Sequence, residues 1–297
     1  MNKQHKILSL LEKTPIIGDK LTTYALYLKF KTEIDLLKNK SKTNSDKPSI
    51  IHFSTNKAAT QHIKKVLRKI AVENQMSPVS FHDYAFYSKM PFLDHLTFDE
   101  MLEYKHIFKK KGYLYSVFGG MIENIDNINE YKIVLSMRDP RDVLVSSYFS
   151  KAFSHTEPLQ ISSKHDKFMK KRDWAKNIDI NQYVLKEAET LHSILNKYMS
   201  DLCKNDNVGI IKYEDMILDY GKWLRNLVDI AGMKMSNSLE EELINENIKK
   251  RPNNENKFSQ NRKGIAGDYK NKLDKATIEK LNTMFNPILS FFDYEIS

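Results

Sequence analysis

The chain has 297 residues, of which 41% are hydrophobic, including 15 Tyr and 15 Phe, so it can bury a substantial core and is neither disordered nor fibrous. The net charge of +9 predicts anionic partners, but the lysines are scattered and form no aromatic-basic ribbon. This pattern disfavours nucleic acid and favours a charged nucleotide or an acidic acceptor molecule. Cys203 is the only cysteine, which excludes an intrachain disulfide and a cysteine-rich zinc site.

Residues 1–47 have the pattern of a helical N-terminal extension. Apolar residues recur at helical spacing over Ile7–Leu11 and Leu21–Leu37, and the polar stretch Lys38–Lys47 reads as a linker. Two interpretations stay open: helices that pack on the core, and helices that make a peripheral membrane or oligomer contact. No apolar run approaches the ~18 residues of a transmembrane helix, and no signal peptide is recognisable. We therefore expect a cytoplasmic protein.

After residue 47, predicted strands and helices alternate along the chain. The predicted strands are Ser49–Phe53, Val79–Phe81, Gly112–Phe118, Ile133–Leu135 and Val208–Tyr213. The predicted helices follow the first strand, with Ile63, Val66, Leu67 and Ile70 on one face, and then cover Asn181–Met199, Tyr220–Ile230 and Lys275–Phe292. This alternation predicts an α/β fold, in which residues 48–297 form a single domain with a central parallel sheet flanked by helices.

The first strand leads into the polar turn Ser54–Thr60, which contains Lys57. In a parallel sheet such a turn lies at the carboxyl end of a strand, where the next helix presents free N–H groups to an anion. Lys57 is therefore placed to meet a phosphate. No glycine occurs between Gly18 and Gly112, so the turn lacks the Gly-x-x-x-x-Gly-Lys-Ser/Thr pattern of kinases and ATPases.

A cation and a hydroxyl follow the predicted strand Ile133–Leu135. Arg138 stands at the end of this strand, and Pro140 indicates that a helix begins next. Ser146 lies further along that helix. A guanidinium fork combined with a directional hydroxyl suits a phosphate.

A third basic segment, Arg262-Lys263-Gly264, lies near the C-terminus. Its glycine lets backbone N–H groups approach an anion closely. Together with Arg138 and Ser146, this segment resembles the signatures of the PAPS-dependent sulfotransferases. In that family the two segments jointly hold the 3′-phosphate of 3′-phosphoadenosine-5′-phosphosulfate (PAPS). The likeness is closer to carbohydrate-type and bacterial members than to the phenol and steroid enzymes.

The resemblance implies a P-loop-NTPase-like sulfotransferase fold, with PAPS as donor, PAP as product and no metal. It makes Lys57 the lysine of the phosphosulfate loop and Thr60 a hydroxyl ligand of the 5′-phosphate. Backbone N–H groups would come from Ala58, Ala59, Thr60 and Gln61. Ala59 stands where the family usually has Gly, so we expect its φ to stay negative to accommodate the Cβ.

Two further positions are matched more weakly. Tyr213, in Tyr213-Glu-Asp, corresponds to a tyrosine that lies near the adenine. His62 occupies a position where an aromatic residue often stacks on that base. The alternatives are an ordinary tyrosine at a strand end and an exposed helix residue.

The general base is less defined by the resemblance. Cytosolic-type members use a His upstream of the Arg…Ser motif, but Tyr115–Gly120 contains none. Carbohydrate and tyrosyl-protein branches place a Glu after the phosphosulfate helix, at a position that falls near His82 and Asp83. We take these two as catalytic candidates and Glu123 as a third; ordinary strand-end residues are the alternative. His155 is a candidate for the acceptor pocket.

The sequence thus predicts transfer of the sulfuryl group of PAPS to a hydroxyl acceptor, preferably a carbohydrate or glycolipid. Three alternatives remain: a phosphoryl-transfer enzyme with a degenerate loop, a sulfotransferase for a small-molecule or lipid hydroxyl, and a nucleotide-binding module without chemistry. The sequence names neither the acceptor nor the oligomeric state.

Overall fold

The computed structural model describes residues 24–40, 42–155, 157, 165–250, 255–259 and 262–296. Five parallel strands form one sheet in the order β2-β3-β1-β4-β5. Their bounds are β1 (Ile50–Ser54), β2 (Ser77–Val79), β3 (Tyr113–Phe118), β4 (Lys132–Met137) and β5 (Val208–Lys212). The predicted α/β fold with a central parallel sheet is confirmed. Because chain order reverses at β1, ligands are expected beyond its carboxyl end.

Besides the helical residues 24–29, eleven α-helices of the described ranges surround this sheet. They are α1 (Lys31–Leu37), α2 (Thr60–Glu73), α3 (Phe81–Tyr87), α4 (Pro140–Phe149), α5 (His165–Asn177), α6 (Ile180–Lys197), α7 (Tyr213–Leu218), α8 (Tyr220–Ala231), α9 (Asn237–Lys250), α10 (Tyr269–Lys272) and α11 (Lys275–Phe291). Short 3₁₀ helices cover Leu93–His95, Glu100–Glu103, Lys105–Ile107 and Ile128–Glu130. Single π-helical turns follow α4 and α6, at Ser150–Ser154 and Tyr198–Leu202.

The sheet is buried on both faces, as expected for parallel strands. On one face Ile50 packs with the apolar side of α2 and with α8. On the other face Ile51 and Phe53 pack in a larger core with α6 and α11. This arrangement fixes the turn after β1 at the edge of a rigid core.

The second strand differs from its prediction. It ends at Val79 rather than Phe81, because the Ser80 hydroxyl accepts a hydrogen bond from the backbone N–H of Asp83 and caps α3. His82 and Asp83 consequently lie in the first turn of a helix, not at a strand end.

A buried histidine joins the three central strands just below the β1–α2 turn. His52 on β1 contacts the hydroxyls of Ser116 on β3 (Nδ1–Oγ 3.0 Å) and Ser136 on β4 (Nε2–Oγ 2.8 Å). Desolvation lowers its pKa to about 3, so the ring is neutral at pH 7. These contacts satisfy the polar atoms that the strands bury there.

The described part of the N-terminal extension packs on the sheet domain through α1. Phe30 and Leu36 are buried, and Glu33 Oε1 accepts a hydrogen bond of 2.7 Å from the Ser80 N–H. The predicted apolar stripe Ile7–Leu11 lies outside the described residues. In the described part of the chain, no helix is long and apolar enough to cross a membrane. The predicted division at residue 47 stays a prediction.

Candidate active site

The β1–α2 turn forms the first part of the site. Lys57 and Ala59 both adopt left-handed backbone conformations, with φ of +73° and +56°. The prediction of a negative φ at Ala59 is wrong. The left-handed conformation costs an L-residue about 1–2 kcal/mol. The turn tolerates this cost because Thr60 Oγ1 contacts Ser54 Oγ at 3.0 Å and donates to the Thr55 carbonyl at 3.2 Å.

This backbone geometry suits an anion. A turn with left-handed residues gathers N–H groups into a concave nest, and the first turn of a helix leaves its own N–H groups without intrahelical partners. The N–H of Ala58 is an exception among the four predicted donors, because it already donates to the Thr55 carbonyl at 3.2 Å. The N–H groups of Ala59, Thr60 and Gln61 remain for a ligand.

Lys57 supplies the positive charge of the turn. Desolvation and, to a smaller extent, the nearby charge of Arg138 together lower the pKa of its ammonium to about 8. The Lys57 carbonyl also accepts a hydrogen bond of 3.1 Å from Arg138 Nη1. The turn and Arg138 therefore form one cationic centre.

Arg138 lies just after β4 and connects three segments. Its guanidinium stacks on the Tyr213 ring at 4.1 Å, donates to the Ile265 carbonyl at 3.3 Å and pairs with Asp142 at 3.5 Å. Its buried Nε has no hydrogen-bond partner among the described residues. An unpaired buried donor calls for an explanation, and a bound anion in this cleft provides one.

The C-terminal basic loop docks on α4 through Asp142. The two carboxylate oxygens of Asp142 accept hydrogen bonds from the N–H groups of Gly267 (2.8 Å) and Tyr269 (2.9 Å). Burial raises the pKa of Asp142, whereas Arg138 and these two N–H groups act to lower it. Because Asp142 also pairs with Arg138, one buried carboxylate joins both halves of the predicted phosphate site.

The cations of this loop are held in place by acidic partners. Arg262 pairs with Glu255 and Asp268, and its guanidinium lies 4.3 Å from the centre of the Phe149 ring on α4. Lys263 Nζ donates to Asp268 at 2.9 Å. Gly264 has a φ of +67°, a conformation that glycine adopts without strain. The side chains of Arg262 and Lys263 are thus held by ion pairs within the described part of the loop.

Tyr213 lies near both cationic segments. Burial raises the pKa of its phenol, and the charges of Arg138 and Arg262 both oppose that rise. Both guanidinium groups therefore lie within electrostatic range of one hydroxyl. Ser146 is partly buried and lies on α4 between Asp142, which pairs with Arg138, and Phe149, whose ring contacts Arg262. The structure brings these residues together.

His62 belongs to an aromatic cluster that the sequence analysis did not recognise. Its Nε2 contacts the Tyr220 hydroxyl at 3.0 Å, and the Tyr220 ring stacks on Trp223 with centroids 5.4 Å apart. Tyr220 and Trp223 open helix α8, soon after Tyr213. Their spacing of three residues on a helix was the available signal.

The two candidate bases differ in their surroundings. Asp83 accepts a hydrogen bond of 2.5 Å from Lys64; burial alone would raise its pKa, but the attraction of Lys64 outweighs this and lowers it. Asp83 is therefore a weak proton acceptor. Burial lowers the pKa of His82, so its ring is neutral at pH 7, and its buried Nδ1 has no partner among the described residues.

The remaining candidates are Glu123 and His155. Glu123 forms an ion pair of 2.6 Å with Lys197, which removes it from the candidate bases. His155 follows the π-helical turn after α4. The residue is partly accessible to solvent, but desolvation of the imidazole lowers its pKa to about 4, and the charges of Lys57 and Arg172 lower it in the same direction. His155 therefore lies within electrostatic range of Lys57.

Comparison with protein families identifies the domain. Residues 47–292 match the family described as "Sulfotransferase domain". The chain belongs to this sulfotransferase family. The match confirms the predicted family and the assignment to transferases. A comparison with curated protein sequences gives no significant match.

Solved structures that resemble this chain include two sulfotransferases and a retinol dehydratase. Mouse sulfotransferase SULT7A1 complexed with PAP has 16% sequence identity and a TM-score of 0.49, over 88% of this chain and 94% of that chain. Retinol dehydratase in complex with androsterone and inactive cofactor PAP has 16% identity and a TM-score of 0.46, over 89% and 85%. Sulfotransferase STF9 from Mycobacterium avium has 11% identity and a TM-score of 0.48, over 96% and 89%.

Proposed function

We propose that the protein transfers the sulfuryl group of PAPS to a hydroxyl acceptor. The observation that supports this proposal most directly is the junction at Asp142, where one buried carboxylate pairs with Arg138 and also accepts hydrogen bonds from the loop after Arg262. This junction connects two cationic segments that are more than a hundred residues apart in sequence. A nucleotide with phosphates at both ends needs such a cleft together with a separate anion-binding turn.

The residues divide into two groups around the nucleotide. Arg138, Ser146, Arg262, Lys263 and Gly264 would hold the 3′-phosphate, and Tyr213 and His62 would flank the adenine. The turn from Lys57 to Gln61 would hold the 5′-phosphosulfate. PAPS, when bound, supplies the activated sulfuryl group. Fixing both ends of the nucleotide places that group in line with an acceptor, which converts a bimolecular encounter into a positioned one.

Lys57 and His82 would act on the reacting atoms. Lys57 and the adjacent helix N-terminus would stabilise the negative charge that develops on the leaving phosphate oxygen when the S–O bond of the donor breaks. His82, which is neutral at pH 7, would accept the proton of the acceptor hydroxyl as the new S–O bond forms.

We also propose a carbohydrate hydroxyl as the acceptor. Strand β3 and the two glycines that follow it, Gly119 and Gly120, contain no histidine, so this strand offers no imidazole as a base. The candidate base comes from α3 instead.

Binding of PAP to the full chain tests the donor site. We expect PAP to raise the melting temperature without added metal, and Arg138→Ala and Lys57→Ala to weaken this effect. Arg225→Ala is a matched control, because Arg225 is exposed and pairs with Glu240 on the surface. Stabilisation by ATP with Mg²⁺ but not by PAP would refute the proposal.

A separate measurement tests the base. His82→Gln should leave PAP binding intact and lower kcat of sulfuryl transfer by about 10²–10⁴-fold, the usual contribution of a general base. A change in the KM for PAP without a change in kcat would exclude this role.

A further inference from the structure

Asp94 is a charged residue that has no role in the mechanism described above. It lies in the 3₁₀ turn Leu93–His95, and its Oδ2 accepts hydrogen bonds from the N–H groups of Gly119 (2.9 Å) and Gly120 (3.1 Å), just after β3. A Cβ on Gly120 would lie only 3.2 Å from the Asp94 carbonyl oxygen, so this glycine allows the turn to approach the strand end closely. The other carboxylate oxygen, Oδ1, accepts no hydrogen bond from the described residues. The carboxylate is therefore anchored through one oxygen only.

The turn that carries Asp94 packs against the candidate base. The centre of the Phe92 ring, at the start of this turn, lies 4.7 Å from the centre of the His82 ring and 5.5 Å from that of His95. The N–H of His95 donates to the Phe92 carbonyl at 3.0 Å and closes the turn around Asp94. Asp94 and His82 are thereby held in one small region at the end of β3. In this region the buried Nδ1 of His82 has no partner among the described residues.

Asp94 is the charged group that acts most strongly on His82. Burial lowers the pKa of the imidazole, and among the surrounding charges Asp94 makes the largest contribution, in the opposite direction. The other charged or titratable groups near the ring are Asp83, Lys64, His95 and His155. Asp83 is paired with Lys64 at 2.5 Å, whereas Asp94 forms no ion pair with any of the described residues. Asp94 thus presents an uncompensated negative charge to the buried ring.

We propose that Asp94 is a positioning residue for sulfuryl transfer, whose anchored carboxylate orients the imidazole of His82 and stabilises the imidazolium that forms during the reaction. This inference rests on the proposed role of His82 as general base. When the acceptor O–H bond breaks, its proton goes to an imidazole nitrogen and the electron pair on the oxygen forms the new S–O bond. The old S–O bond breaks and leaves its electron pair on the phosphate oxygen. Asp94 takes no proton, and its fixed negative charge raises the affinity of the buried ring for the proton.

Asp94→Asn in the full chain tests the inference. Asparagine removes the charge but keeps the anchor, because both glycine N–H groups donate to the same oxygen. Measured by NMR titration of nitrogen-labelled histidine, with the His82 signal assigned from His82→Gln, the pKa of His82 should decrease. The kcat of sulfuryl transfer should fall about 10–10²-fold, less than on loss of the base itself. The acid limb of the pH–rate profile should move to lower pH, and the affinity for PAP should stay unchanged.

Two substitutions of the same kind serve as comparisons. Asp126→Asn removes an exposed carboxylate that pairs with Lys105, and it should change neither the pKa of His82 nor kcat. Asp83→Asn removes the carboxylate next to His82 in sequence, whose charge acts less strongly on the ring, and it should lower the pKa of His82 less than Asp94→Asn does.

Three results would overturn the inference. The pKa of His82 could be unchanged in Asp94→Asn, or it could decrease as much in Asp83→Asn. A lower kcat with an acid limb that does not move would show that Asp94 only supports the structure. The NMR titration needs no turnover, so it separates this inference from the proposed function. If the unaltered chain transferred no sulfuryl group, the proposed function would fail, and the titration would still show whether Asp94 acts on His82.

Discussion

Replacement of Asp142 by Asn tests whether the C-terminal basic loop depends on α4. Asp142 is buried, and its two oxygens accept from Gly267 and Tyr269 while it also pairs with Arg138. Asparagine has nearly the same volume but offers only one acceptor oxygen. Its NH₂ group would face the other backbone N–H, so one of the two hydrogen bonds is lost.

The expected loss follows from this geometry. A hydrogen bond to a charged group contributes about 1.5–3 kcal/mol to stability. In a domain of this size each kcal/mol shifts the melting temperature by about 2–4 °C, so we expect a decrease of roughly 3–12 °C. The nucleotide site should suffer as well, because Arg262 and Lys263 lose their position. We expect the Kd for PAP to rise about tenfold or more, which is 1.4 kcal/mol of binding free energy.

Calorimetry with PAP and thermal unfolding measure the two effects on the same sample. Asp166→Asn is the matched control, because Asp166 lies on the surface of α5 with 95% of its side chain exposed. A variant that melts at a lower temperature but binds PAP with unchanged affinity would refute the argument that Asp142 assembles the phosphate site.

Three further substitutions probe single features. With Lys57 at a pKa of about 8, PAP affinity should fall by up to about tenfold per pH unit above pH 8, and Lys57→Arg should remove this dependence. Ala59→Gly relieves the left-handed strain and should stabilise the chain against urea by about 0.5–1 kcal/mol after the entropy of glycine is counted. Burial raises the pKa of Glu214 from 4.5 to about 7, so the folded state holds its proton more tightly and the free energy of unfolding falls as pH rises through this window. Glu214→Gln, which keeps an acceptor for the Asp139 N–H, should flatten that decline.

Each of these substitutions has its own control. If the PAP affinity of the unaltered chain stays constant up to pH 9.5, that result would contradict the lowered pKa of Lys57. Ala71→Gly, in the interior of α2, should lower the stability of the folded chain, whereas Ala59→Gly should raise it. If both substitutions lowered the stability by the same amount, the backbone strain at Ala59 would be contradicted. Glu241→Gln, at an exposed position, should leave the pH profile unchanged, and a similar flattening there would show that Glu214 is not its source.

Local patterns were enough to predict the parallel sheet and the polar turn that follows its first strand. Buried parallel strands are continuous apolar runs, and the run before Arg138 could be read directly. Pro140 marked the start of α4, and Asp139 caps it as such a residue should. Each of these signals lies within a few residues of the feature that it predicts.

The remaining features depend on contacts between distant segments. Asp83 is a poor base because of Lys64, which lies 19 residues before it. Asp142 lies only four residues after Arg138, but its role could not be predicted, because its N–H partners are 125 and 127 residues away in sequence. The φ of Ala59 follows from the closure of the turn, which overrides the preference of alanine. Sequence patterns describe neighbours along the chain, and these effects come from neighbours in space.

Glu33, in the N-terminal part of the chain, supports the helix that carries the proposed general base. Its carboxylate receives the N–H of Ser80, and Ser80 in turn caps the helix on which His82 stands. Phe30, beside it, packs against Tyr84 of the same helix at 5.4 Å. The region shared with the family begins only at residue 47. A shortened protein that kept the shared region alone would hold every donor-binding residue, yet the imidazole would sit on a helix that had lost its outer support.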